Sequence, residues 1–72
     1  MHDITVTVIS VEEAFDGTAE LWSDGELIGF TRYEDNDLVL CLQPRHDGTA
    51  RVVGVHALAD ALAEATRQLA VY

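Results

Sequence analysis

A chain of 72 residues makes one domain, and one whose core is small enough to need reinforcement from a disulfide, a metal or a second subunit. Thirteen Asp and Glu against four Arg and no Lys give a net charge of −9, which disfavours DNA, RNA and anionic membranes, because binding there rests on cation contacts that release counterions. A single cysteine, Cys41, excludes an internal disulfide and a cysteine-based zinc site, leaving association as the expected reinforcement.

Residues 4–9 read Ile-Thr-Val-Thr-Val-Ile, β-branched and alternating, and predict a strand with Ile4, Val6 and Val8 on one face. Residues 10–17, with Glu12, Glu13 and Asp16-Gly17, read as a loop or turn. Residues 18–23 form a second strand ending at Asp24-Gly25, a strong hairpin signal. A third strand covers 27–34. Asp35-Asn36 tolerates the positive φ of a tight turn, and a fourth strand covers 37–43 until Pro44 stops it. Residues 45–50 are a polar loop, and 51–55 fit either a short strand or the entry to a helix.

From Val55 the period becomes helical, with Leu58, Leu62, Ala65, Leu69 and Tyr72 on one face and His56, Asp60, Glu64, Arg67 and Gln68 opposite. Alanines between 57 and 70 favour the helix and allow a close approach to a sheet. Arg67 suits the negative end of the helix dipole. The expected fold is α+β: a four-stranded antiparallel meander with one C-terminal helix packed on one face (β-β-β-β-α), as a single domain over 1–72.

A sheet with one wet face should alternate apolar and polar residues, and only the first strand does. Two-residue turns at Asp24-Gly25 and Asp35-Asn36 set Leu21 opposite Ile28, Ala19 opposite Phe30, Phe30 opposite Cys41 and Arg32 opposite Val39. One face then carries Ala19, Leu21, Ile28, Phe30, Val39 and Cys41. The other carries Trp22, Leu27, Tyr33, Leu38, Leu40 and Leu42. A helix about 10 Å wide covers one such face at most. Large side chains left in water forgo about 1.5–3 kcal/mol apiece. These six residues are therefore the expected partner surface, with a second copy packing on them sheet against sheet.

Catalytic and metal-binding signals are weak. His2, His46 and His56 match no metal-ligand spacing, although His56 and Asp60 lie one helical turn apart. Cys41 sits in the apolar run Leu38-Val39-Leu40-Cys41-Leu42 and reads as a small buried hydrophobe. No nucleophile elbow or phosphate loop occurs. Gly29, inside the third strand, marks a bulge or a place where a large side chain such as Trp22 crosses the backbone. No cofactor, metal or catalytic set is expected. No stretch approaches the ~20 apolar residues of a membrane span, and the Met1-His2-Asp3 start lacks the features of a signal peptide, so a cytoplasmic setting is expected.

At Ala19, Leu21, Trp22, Gly25 and Gly29, and in the Ala/Leu-rich helix from Ala57 to Leu69, the chain resembles a small actinobacterial family of unknown function with a dsRBD-like fold. The likeness covers residues 4–34 and 55–70, with gaps. It implies β-β-β-α topology, dimerisation and a kinship of shape with ribosome-hibernation factors. The extra apolar run at 38–42 departs from it, and the acidity opposes an RNA-binding role. The expected function is a non-enzymatic protein-interaction module, homodimeric, with a possible further protein partner. The alternatives are a ribosome- or RNA-associated stress protein, which needs Arg32, Arg45, Arg51 and Arg67 in one stripe, and an acidic mimic of nucleic acid, which needs a ridge of carboxylates.

Overall fold

The computed structural model describes residues 3–72, so His2 lies outside the described residues. The elements are β1 (Thr5–Thr7), α1 (Val11–Phe15), β2 (Glu20–Ser23), β3 (Glu26–Glu34), β4 (Asp37–Leu42) and α2 (Val55–Ala70). The strands form one antiparallel sheet in the order β1-β2-β3-β4, the meander the sequence predicts, followed by the C-terminal helix.

Both hairpins follow from their turn residues. Asp24 and Gly25 have φ of 53° and 77°, and Asp35 and Asn36 have 51° and 69°. Positive φ at both central positions is the type I′ turn, whose twist matches that of the strands it joins. Asp, Asn and Gly tolerate that conformation at least cost.

Residues 10–17, expected as a loop or turn, include a helix. This is α1, a single short helix closed at both ends. Ser10 Oγ accepts the Glu13 N–H at 3.1 Å. At the other end Gly17, at φ 76°, donates to Ala14 O at 3.0 Å, while Thr18 donates to Glu13 O at 2.8 Å. Those two bonds and the left-handed glycine are a Schellman cap. Caps satisfy most of the polar groups that so short a helix leaves free.

The core lies between the sheet and α2. Leu21, Ile28 and Ala61 are buried, and Ile4, Val6, Leu40, Val53, Leu58 and Leu62 pack around them. Ala61 and Ala65 are the buried residues of α2, where a small side chain lets the helix sit close. Tyr72, expected on the same stripe, is instead 60% exposed beyond the helix end. Residues 51–54 form neither strand nor helix; Val53 turns into the core and Val52 turns out.

α2 sits nearest β1. A polar relay holds it there: Gln68 Nε2 donates to Val6 O at 3.4 Å and to Glu64 Oε2 at 2.7 Å, and Glu64 also accepts from Arg67 Nε at 2.8 Å. At the start of β2, buried Thr31 supplies side-chain bonds beside the ladder. Its Oγ1 accepts the Ala19 N–H at 3.0 Å and donates to Gly17 O at 2.7 Å.

Candidate interaction surface

A bulge decides which side chains share a face. β2 and β3 pair Ser23 with Glu26 and Trp22 with Leu27, then Leu21 with Gly29 and Glu20 with Phe30, so Ile28 is the extra residue. Side-chain direction alternates along a strand, and one inserted residue reverses the facing of all that follows. The expected pairs Phe30–Cys41 and Arg32–Val39 are present. Leu21 opposite Ile28 and Ala19 opposite Phe30 are replaced by Leu21 opposite Gly29 and Glu20 opposite Phe30.

Glycine makes the bulge possible. A Cβ on Gly29 would stand 2.7 Å from Cys41 O and 3.2 Å from Leu42 Cδ2. Leu42, not Trp22, crosses the Gly29 backbone. Ile28 turns to the helix side beside Leu21 and is 1% exposed.

The six residues expected on one face therefore divide. Trp22 and Leu27 lie on the face away from α2, and register places Phe30, Val39 and Cys41 with them. All five are half-buried, Cys41 among them, which corrects the expectation of a fully buried thiol. Thr5, Thr7, Glu20, Arg32, Glu34 and Asp37 are the polar members of that face, and the Trp22 indole Nε1 donates to Glu20 Oε1 at 3.2 Å. Tyr33, Leu38, Leu40 and Leu42 lie on the helix side.

On the helix side the cover is one-sided. Adjacent strands are about 4.8 Å apart, so β4 runs roughly 14 Å from β1. A helix about 10 Å across, seated nearest β1, stops short of it. Leu40 reaches the core, but Leu38 is 39%, Leu42 47% and Tyr33 51% exposed. The Tyr33 ring lies over Gly17, where a Cβ would come within 2.6 Å of it.

β4 is also an edge. Among the described residues it pairs with β3 alone. Gln43 N donates to Ile28 O at 2.9 Å, extending the ladder past the strand. Alternate residues of an antiparallel strand bond the same neighbour. Val39 and Cys41 thus bond β3, and Leu38, Leu40 and Leu42 send their N–H and C=O groups outward. Edges are ordinarily blunted by charge, proline or a bulge. From Leu38 to Leu42 this one has none of these; Asp37 and Pro44 only bracket it.

Three of the four arginines pair with carboxylates of the same chain. Arg32 pairs with Glu34 at 2.9 Å, Arg51 with Glu26 at 3.5 Å and Arg67 with Glu64. Hydrogen bonds from Arg67 and then Gln68 hold the Glu64 carboxyl down to about 2. Arg45 makes no side-chain ion pair among the described residues. Arg45 and Arg51 line one cleft, whereas Arg32 lies on the sheet face away from α2 and Arg67 in the last turn of α2, so the four make no single stripe, and three of them are matched by a carboxylate. Five of the thirteen carboxylates flank the hairpin turns, Glu34, Asp35 and Asp37 around the β3–β4 turn and Asp24 and Glu26 around the β2–β3 turn.

His46 Nε2 lies 2.9 Å from Glu26 Oε1, beside Arg51 and a cleft of ≈ 430 Å³ between the β2–β3 turn and residues 51–54. His56 is exposed in the first turn of α2. Among the described residues no three of His, Cys, Asp and Glu come together as a metal site, and no helix is long and apolar enough to cross a membrane. No family model, curated protein or solved structure matches the chain.

Proposed function

We propose that the chain is a non-enzymatic protein-interaction module that acts as a homodimer in the cytoplasm. The observation that supports this most is the uncovered β4 side of the sheet. Leu38, Leu42 and Tyr33 stand exposed on one face, and half-buried Trp22, Leu27, Phe30, Val39 and Cys41 lie on the other. Apolar surface on both faces and along an unblunted edge favours a partner, since burial in a second protein recovers the hydrophobic free energy that one chain leaves unused. Dimerisation is also what the likeness to the dsRBD-like family implies. Nucleic acid suits this surface poorly, because carboxylates neutralise Arg32, Arg51 and Arg67 and the net charge is −9.

Light scattering on a sizing column tests the proposal. The expected mass at micromolar concentration is twice the chain's 7.9 kDa. A particle of 7.9 kDa throughout the accessible concentration range overturns it.

A further inference from the structure

We infer that the second copy joins along β4 itself: two β4 strands pair antiparallel about a two-fold axis at Leu40, and the two sheets become one. This rests on the homodimer reading above and adds its geometry.

Three features of the edge select that arrangement. The first is hydrogen bonding. Among the described residues of β4, Leu38, Leu40 and Leu42 are the ones that turn their backbone groups away from β3, so these face one another across the axis. With Leu40 opposite Leu40 of the second copy, Leu38 falls opposite Leu42 and every outward N–H and C=O in β4 is satisfied. Centring on Val39 or Cys41 instead leaves Leu42 or Leu38 facing Asn36 or Pro44, outside the strand.

The second is side-chain matching. Val39 meets Cys41 on one face, Leu38 meets Leu42 on the other, and Asp37 meets uncharged Gln43. No carboxylate faces a carboxylate within the strand. The exposed leucine rows of the two copies merge on the helix side, between two α2 helices that each lie toward the outer β1. Cross-strand apolar pairs of this kind stabilise a sheet.

The third is charge. Asp35 and Arg45 each stand five residues from Leu40, on opposite sides of it. The two-fold brings Asp35 of one copy to the level of Arg45 of the other, twice over. Arg45 is the arginine without an ion pair of its own among the described residues, and Asp35 sits in the acidic β3–β4 turn. An otherwise acidic, self-repelling chain thereby carries, at each end of the joined strands, an arginine that can turn from the cleft it lines with its own Asp24 and Glu26 toward its copy's acidic turn.

Engineered disulfides test the register. A Cys41→Ser background carries either Leu40→Cys or Leu38→Cys, each checked for folding by circular dichroism and oxidised mildly. Opposed residues of a bonded pair have Cα atoms about 5.5 Å apart, within the span of a disulfide. Residues two steps off the axis are far outside it. The expected result is a covalent dimer from Leu40→Cys forming at least tenfold faster than from Leu38→Cys. Equal rates, or faster linkage through position 38, overturn the register while leaving a dimer by light scattering intact; a monomer by light scattering overturns both. Arg45→Glu, on an exposed loop that the core does not use, supplies a second arm. It is expected to weaken dimerisation roughly tenfold at low salt and less at high salt. An unchanged dissociation constant at low salt removes the pairing with Asp35.

Discussion

Gly17 carries two constraints that no other residue meets. Its φ of 76° is the left-handed region, and the Tyr33 ring occupies the space where a Cβ would go. Gly17→Ala is expected to cost about 1–3 kcal/mol by chemical denaturation, from backbone strain and from displacement of the ring. Thr31 is the buried polar counterpart. Thr31→Val keeps the shape but leaves the Ala19 N–H and Gly17 O unpaired, for an expected loss of about 1–3 kcal/mol. A loss under about 0.5 kcal/mol in urea unfolding would mean that water replaces the hydroxyl. Glu64 gives a pH signature. Hydrogen bonds from Arg67 and Gln68 depress its folded-state value from 4.5 to about 2, so its stabilisation is present above the ordinary carboxylate range and is lost as pH falls toward about 2. Glu64→Gln should therefore narrow the fall in melting temperature between about pH 5 and about pH 2. An unchanged fall contradicts this.

The elements differ in how plainly the chain announces them. Both hairpins were legible, because Asp24-Gly25 and Asp35-Asn36 supply the positive φ that a type I′ turn demands, and nothing distant alters that. α2 was legible from its apolar spacing. α1 was hidden by its length and by the acidic residues that make it look like a loop. The signal was nevertheless there: Ser10 with Glu13 three places on is a capping-box pattern, and Gly17 is the closing glycine. Ser10→Ala is expected to cost about 0.5–2 kcal/mol and to loosen amide protection at Glu13 first. The bulge was legible only as the oddity of Gly29. Which residue is inserted depends on how closely β4 approaches that glycine, a contact between distant strands. That one residue separates Trp22 and Leu27 from Tyr33, Leu38, Leu40 and Leu42. The excess of apolar surface could thus be read from the sequence, but its division between two faces and one edge could not.

At the scale of the molecule, the governing fact is a helix seated toward β1 on a sheet four strands wide. Coverage fails progressively toward β4, where the exposed leucines and the unpaired backbone coincide. If a second copy completes the sheet, folding and association are linked, and the melting temperature should rise with protein concentration. A melting temperature independent of concentration over two decades argues against that linkage. The most direct measurement is amide hydrogen exchange along β4. Leu38, Leu40 and Leu42 direct their N–H groups away from β3, whereas Val39 and Cys41 direct theirs toward it. Protection at Leu38, Leu40 and Leu42 that grows with concentration is the expected result. Exchange of those three at unstructured rates at every concentration, with Val39 and Cys41 still protected, would show the edge to be free.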